Sequence, residues 1–526
     1  MTTATPYPAC PEVRVVLINP PQSYPVRLAD EYQSYFPVGI ASLGASLEQL
    51  GAQVRLIDCL ADPHERRVGD LVWFGTDLAD LKAEIAAFAP HVVGIANPFS
   101  MFASDAIHVA DMVKSIDPAI KVIVGGIEAS IAPNNRRLLE NSLSIDILVK
   151  GEGELTLCDL TARFSVDTKQ FVDLPDVAGI LFRDSSGTVV ENGPRPWIAN
   201  LDVLPMPAYH LLDLDRMYDN PHYGKFRLRA QGTRCLPIHT SRGCPYSCNF
   251  CSVHSQVGKL FRRQSPATVV KHIEHVKRTY GVTHVHFEDD NLTLNPKHTV
   301  QLLNAIQPLG ITFDTPNGIR ADTITQDVAR LLRAAGARSV TIAVESGVQD
   351  ILDKVVRKAL DLDDVVSAAK ALDEADIPCL AFFIIGFPGE SEKEVRGTLQ
   401  FAKALTADFA TANLLFVANP LPATPLHHEC EENGYLTREL DKESLFAAIR
   451  LNQAPLIRTK EFTKDDLFRW AREELQIPGF LTRGTTIPLF VADTDRARVR
   501  TSTFVGGNVA EQPAYPWEAG LHEGLA

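Results

Sequence analysis

Three cysteines, Cys244, Cys248 and Cys251, fall inside the stretch Thr240-Ser241-Arg242-Gly243-Cys244-Pro245-Tyr246-Ser247-Cys248-Asn249-Phe250-Cys251, and their C-x3-C-x2-C spacing constrains the fold more than any other feature. Thiolates this close together on a loop with Gly and Pro converge on one soft metal centre, an iron-sulfur cluster or zinc, with loop N-H groups available to the sulfides. Structural zinc takes four ligands, so zinc would need His254 or a distant cysteine as the fourth. A four-iron cluster held by three cysteines instead leaves one iron open to a substrate or cofactor. The loop follows Leu236-Pro237-Ile238-His239, a short and mostly apolar run read as a strand, which Pro237 confines to a strand start or a sheet edge.

Around this loop the chain reads as α/β. At 526 residues it is long enough for two to four domains with separate cores. Val13-Ile18, Gln53-Asp58, Val92-Ala96, Lys121-Val124 and Ile145-Val149 are apolar runs separated by helix-period stretches at 38–50, 78–88 and 105–116. Five such strands predict a doubly wound parallel sheet over roughly 1–160, with its ligand at the strand carboxyl ends. The loops at those ends are Asn19-Pro20-Pro21, Asn97-Pro98-Phe99-Ser100, Gly125-Gly126-Ile127-Glu128 and Gly151-Glu152-Gly153-Glu154. Paired glycines after a strand let a bulky ligand approach the backbone. No G-x-G-x-x-G follows the first strand, which argues against a dinucleotide.

Residues 161–232 read as a connector, with a hairpin around Arg183-Asp184-Ser185-Ser186 and a proline-containing strap. From 233 to 425 the βα rhythm resumes. Strands at 284–287, 312–313, 339–344, 380–385 and 412–417, with the one before the cysteines, make six βα units, a partial barrel open enough for a large ligand. Polar groups stand at the strand ends: Glu288, Asp289 and Asp290, then Arg320, then Glu345 and Ser346, then Gly386 through Glu390. Carboxylates there suit an ammonium group and ribose hydroxyls, and Arg320 suits a carboxylate. Lys259 to Arg263 reads as a solvated segment, and His272, His275, His284 and His286 lack the spacing of a second metal site. Helical patterns continue from Leu426 to about Leu475. A polar tail follows in which Phe480, Leu489-Phe490-Val491 and Trp517 suggest a cover over the barrel mouth, and the last dozen residues are expected to be disordered.

Composition narrows the function classes. The balance of 51 basic against 65 acidic residues gives a net charge of −14, unfavourable for non-specific nucleic-acid or anionic-membrane binding. No apolar stretch reaches a membrane span, and the first ten residues lack signal-peptide features. Nine cysteines are too few for a disulfide scaffold, and only the triplet clusters, so a reducing cytoplasm is expected.

The cysteine loop resembles the signature of the radical S-adenosylmethionine enzymes. The first domain resembles cobalamin-binding domains, with Ala96-Asn97-Pro98 where that family has a Ser-x-Leu turn and Gly125-Gly126 at the matching distance. Its cobalt-ligating Asp-x-His-x-x-Gly is absent. Asp62-Pro63-His64 mimics only its start, Arg67 replaces the glycine, and His64 is read as a surface loop residue. Those departures agree with the class B methyltransferase branch, which also has counterparts of Phe36-Pro37-Val38-Gly39-Ile40 and of Gly151-Glu152-Gly153-Glu154. The resemblance implies three cofactors: a 4Fe-4S cluster on Cys244, Cys248 and Cys251, S-adenosylmethionine, and cobalamin without a protein histidine ligand. It implies S-adenosylmethionine contacts at Glu288, Asp289, Asp290, Arg320, Glu345, Ser346 and Gly386. Cobalamin contacts are implied at Asn97, Pro98, Gly125, Gly126, Ile127, Gly151, Glu152 and Gly153, with 97–101 nearest the underside of the metal.

The implied reaction is radical methylation of an unactivated carbon, or phosphorus, centre in a small biosynthetic intermediate. One S-adenosylmethionine supplies the methyl group through cobalamin and a second is cleaved to the radical that removes hydrogen, so no side chain need act as a base. Likeness within the branch favours natural-product and phosphonate antibiotic pathways. The implied partners are a small-molecule substrate and an external electron donor, with no nucleic acid and no membrane, and the chain is expected to be a monomer. The competing expectation is a ring rearrangement or cyclisation by the same cofactors without net methylation.

Overall fold

The computed structural model describes residues 7–223, 234–409, 411–440, 442, 444–445, 455–475 and 489–490. The first sheet is built on Arg14–Asn19 (β1), Gln53–Asp58 (β2), Val92–Ala96 (β3), Lys121–Gly125 (β4) and Ile147–Val149 (β5), all parallel. β1, β3 and β5 are buried along most of their length, which is why they read as continuous apolar runs without alternation. The connector hairpin, Ile180–Arg183 (β6) and Val189–Glu191 (β7), adds antiparallel to β5, so the order is β7-β6-β5-β4-β3-β1-β2. The order reverses between β1 and β3, and ligands of such sheets bind at the strand ends near that reversal. A small antiparallel sheet of Gln22–Pro25, Leu71–Phe74 and Glu65–Val68, not foreseen from the sequence, caps this end around the stacked rings of Tyr32 and Phe74. His64 is exposed at its rim, as expected for a loop histidine.

The second half is a partial barrel of six parallel strands in two runs. Cys235–Ile238 (β8), His284–Phe287 (β9) and Thr312–Asp314 (β10) form one run, and Val340–Glu345 (β11), Cys379–Ile385 (β12) and Ala412–Val417 (β13) form the other. Single bridges Phe313↔Ala337 and Ile319↔Ile342 join them. Pro237 lies in the edge strand β8, where its missing N-H costs least. The intervening helices start and stop where their caps dictate. Helix Pro266–Tyr280 has Ser265 accepting from the Thr268 N-H, proline at its first position and Gly281 in the left-handed region at its end. Leu489–Phe490 (β14) pairs antiparallel with β13, and helix Lys464–Leu475 packs on helix Glu392–Phe409. The C-terminal region is less continuously helical than its sequence pattern: among the described residues, Pro425–Glu432 and Lys464–Leu475 are its long helices, with Leu436 and Ile457 bridged between them. Phe480, Val491 and Trp517 lie outside the described residues.

The connector binds both halves. Ala208 N-H donates to Ala41 O at 2.9 Å, and the Tyr209 hydroxyl lies 2.8 Å from His272 Nε2 on the barrel helix. The Asn220 amide reaches Leu60 O at 2.8 Å. No described helix is long and apolar enough to cross a membrane.

Candidate functional site

The cysteine loop leaves β8 and is held from several sides. The Asp289 carboxylate accepts from the Thr240 N-H at 3.0 Å, from the Thr240 hydroxyl at 2.8 Å and from the Ser241 hydroxyl, fixing the loop's entry. Gly243 has φ +90°, and a Cβ there would lie 2.3 Å from Leu260 O, so only glycine fits the first bend. Ser241–Arg242 pairs antiparallel with Arg262–Arg263, closing the loop's base. Asn249 N-H donates to Val356 O, and Asn249 O accepts from Leu426 N-H, both at 2.9 Å. His254 Nε2 is committed to Cys244 O at 3.1 Å, against a role as fourth zinc ligand. All three thiols are half-buried, and burial pushes Cys251 up to about 12, so a metal centre is what would hold these sulfurs as thiolates.

At the strand ends of the first sheet lies a cavity of about 280 Å³. Gly94, Gly125, Gly126, Gly151 and Gly153 form much of its wall, opposite Leu43 and Leu157. Gly126 has φ +115°, and a Cβ would sit 2.4 Å from Asn97 O; the chain has stripped side chains from this surface. Asn97, packed behind Gly126, is fully buried, yet neither polar atom of its amide has a hydrogen-bond partner, an orphan pair that a ligand group reaching this turn would satisfy. None of the residues lining this cavity is a histidine.

Between the halves runs a larger cleft of about 510 Å³. Phe99 and Ile127 reach it from the first domain, and His239, Glu288, Asp290 and Asn317 from the barrel. The cysteine loop borders it through Ser241 and Arg242.

Behind the cleft an ionic network ties the Gly-Glu-Gly-Glu loop to the cysteine loop. Arg242 donates to Glu152 at 2.8 Å and to Glu154 at 2.5 Å, and Arg262 donates to Glu152 at 2.7 Å. Burial alone would raise Glu154, but the Arg242 guanidinium outweighs it and holds the carboxyl below its ordinary range. Arg262, 3% exposed, also donates to Ile198 O and stacks over Trp197. This corrects the reading of 259–263 as solvated, because Arg262 is the buried core of the contact.

The residues expected to touch cofactors divide in two. Gly125, Gly126, Ile127, Gly151 and Gly153 line the cavity, with Asn97 packed behind Gly126 and Pro98 next to it in the loop after β3, and Glu288 and Asp290 line the cleft. Asp289 is spent on the loop entry, and the Glu152 carboxylate on the two arginines. Arg320 is fully engaged: it pairs with Asp322 at 2.7 Å, donates to Lys358 O at 2.8 Å and Ala359 O at 2.6 Å, and lies 3.7 Å over the Tyr246 ring. It braces the cysteine loop instead of waiting for a carboxylate. Glu345 forms a buried ion pair with Lys358 at 2.8 Å. Ser346 bonds to Thr398 at 3.0 Å, and Gly386 N-H donates to Glu390 at 2.6 Å. Sequence reasoning missed Lys358 and Tyr246, whose only signal was charge or an aromatic ring beside a glycine turn, and read Glu152 as a cofactor contact where the structure pairs it with Arg242.

The sequence matches the Radical SAM superfamily over residues 238–402 and the B12 binding domain over residues 25–161. An uncharacterized methyltransferase of Pyrococcus horikoshii is 30% identical over 439 residues, covering 83% of this chain and 86% of the relative. The chain belongs to the cobalamin-dependent radical S-adenosylmethionine methyltransferases. Another relative, the cytidylyl-2-hydroxyethylphosphonate methyltransferase of Streptomyces wedmorensis, is 28% identical over 468 residues, covering 82% of this chain and 84% of the relative. In fold the chain is similar to the radical S-adenosylmethionine methyltransferase TsrM from Kitasatospora setae, with a TM-score of 0.65 at 18% identity, covering 94% of this chain and 97% of that one. As a member of this family the chain uses a 4Fe-4S cluster, S-adenosylmethionine and cobalamin. The glycine-walled cavity, the unpartnered Asn97 amide and the three clustered thiols fit that set.

Proposed function

We propose that this methyltransferase acts on an unactivated carbon or phosphorus centre of a small, polar intermediate of phosphonate type, held in the cleft between its two halves. The cleft carries the reading, because it is where groups from the first domain face groups from the barrel beside the cysteine loop. The Streptomyces relative, similar along most of both chains, supports the phosphonate class. When bound, the cofactors supply a methyl donor and a one-electron route to hydrogen-atom removal. The chain's own residues position and shield. Cys244, Cys248 and Cys251 hold the cluster. Asn97, Pro98, Gly125, Gly126, Ile127, Gly151 and Gly153 would cradle the corrinoid by backbone and amide, in a cavity whose lining residues include no histidine. Glu288, Asp290 and Asn317 take the ammonium and hydroxyl groups of S-adenosylmethionine, while Glu345, Ser346 and Gly386 shape that wall from behind.

Residues 1–160 then serve the corrinoid, 161–232 fasten the halves, 233–425 carry the cluster and 426–526 shape the substrate entrance, where Leu467 packs 2.9 Å from the Cβ position of Gly386. A low-potential external donor supplies electrons, and the chain works as a monomer in the reducing cytoplasm. The test is anaerobic turnover of reconstituted enzyme with cytidylylated 2-hydroxyethylphosphonate and a panel of simpler phosphonates. Methylated product with equal amounts of S-adenosylhomocysteine and 5'-deoxyadenosine is expected. Deoxyadenosine with a rearranged, unmethylated product would refute methyl transfer, and turnover only on non-phosphonates would refute the substrate class.

A further inference from the structure

The sequence gives His284 and His286 no metal spacing, but the fold places them beside a carboxylate. β9 pairs with β10 so that His284 lies across from Thr312 and His286 across from Asp314. Strand alternation turns Val285, Phe287 and Phe313 into the apolar core and these polar residues to the other face. The cleft comes near that face: Pro237, across from His286, lines it, as does Glu288 just past the end of β9. His284, His286 and Asp314 are 4%, 3% and 5% exposed, and one donor atom from each lies within 4.8 Å of the others.

His284 is hydrogen-bonded through one ring nitrogen only. The Thr312 hydroxyl lies 2.8 Å from His284 Nδ1 and 3.2 Å from Thr283 O. His284 Nε2 lies 3.6 Å from Asp314 Oδ2, beyond hydrogen-bond distance, and is buried with no hydrogen-bond partner. A cation seated between that nitrogen and the carboxylate would engage both at once. His286 Nδ1, 2.7 Å from Asp314 Oδ1, orients the carboxylate.

The geometry points to a mononuclear divalent transition-metal site, Zn²⁺ or Fe²⁺ in class, with His284 Nε2, Asp314 Oδ2 and one nitrogen of His286 as ligands. Metal–nitrogen bonds of about 2.1 Å require ligand atoms about 3.4 Å apart, so the three side chains close by up to about 1.4 Å on binding. Two imidazoles and one carboxylate leave coordination positions open. An anionic oxygen of a small bound molecule, a phosphonate or alkoxide, is the fitting ligand for them. The other three-residue group of this kind among the described residues, His427, His428 and Glu431, is mostly exposed and lacks these supports.

The site is read without turnover, so its test is independent of the methyl acceptor. Protein loaded anaerobically with cluster and cobalamin is exposed to Zn²⁺, desalted, and analysed by elemental mass spectrometry and zinc K-edge absorption. About one zinc per chain with only nitrogen and oxygen neighbours is expected. Asp314→Asn and His284→Gln are expected to weaken zinc retention by more than about tenfold while iron and cobalt contents stay level. No retained zinc in the parent protein, sulfur in the zinc shell, or retention unchanged in either variant overturns the site. If a variant fails to fold, the stoichiometry and ligand shell of the parent protein decide alone.

Discussion

Cys248 and Arg320 act on the same loop in different ways, and their variants separate binding the cluster from shaping its seat. Cys248→Ala removes one of three ligands, so iron content and reductive cleavage of S-adenosylmethionine should both be lost. Corrinoid uptake should persist, because the cavity of the first sheet does not include that residue. Iron analysis beside the cobalamin spectrum checks this, and joint loss of both would contradict it. Arg320→Lys keeps the charge but cannot reproduce the fork that holds Asp322, two carbonyls and the Tyr246 face. Each lost charged hydrogen bond costs about 1.5–3 kcal/mol, so the loop should hold its cluster more loosely, read as faster iron loss to a chelator. At this scale the sequence was legible in kind and opaque in direction. A polar residue at a strand end is visible in the chain, but whether its side chain enters the cleft, as Glu288 does, or turns back to the loop, as Asp289 does, depends on neighbours far away in sequence.

Two turns show what an element contributes beyond its residues. The β4 turn brings Gly126 against Asn97 O, so Gly126→Ala forces both a left-handed φ and a backbone clash. A cost of about 1–3 kcal/mol is expected, with weaker cobalamin uptake and normal iron content, measurable by equilibrium binding of hydroxocobalamin. In the β12 turn Glu390 accepts from the N-H groups of Gly386 and Phe387, yet burial outweighs both and pushes its carboxyl up to about 8. Its unfolded value is near 4.5, so between these pH values the folded chain holds a proton that the unfolded chain has released. Stability from this group therefore falls as pH rises, by up to about 1.4 kcal/mol per unit. Glu390→Gln should flatten that decline between pH 5 and pH 8 in denaturant titrations, and equal slopes for the two proteins would count against the assignment. The strands of both domains were readable because buried parallel strands are apolar runs bounded by Gly and Pro. The hairpin's addition to β5 was not, since strand pairing across a connector leaves no mark in local pattern.

The two halves meet through charges that neither half can satisfy alone. Glu152 and Glu154 leave the first sheet, while Arg242 and Arg262 flank the cysteine loop, and all four are removed from water to differing degrees. A buried pair contributes little against an apolar substitute, but deleting one partner leaves an uncompensated charge that costs about 3–5 kcal/mol. Arg262→Met leaves the Glu152 carboxylate with Arg242 as its one remaining ion-pair partner and should therefore loosen the contact between corrinoid domain and barrel. The signature is coupling: cobalamin affinity and iron retention should fall together, although neither cavity nor cysteine is touched. A double variant, Arg262→Met with Glu152→Met, removes both charges and should recover much of the loss, because matched apolar groups pack where the pair stood. Independent, additive effects on cobalt and iron in this cycle would mean that the two loops are held separately. Recovery in the double variant would instead make the Gly-Glu-Gly-Glu loop a clamp that sets the distance between corrinoid and cluster.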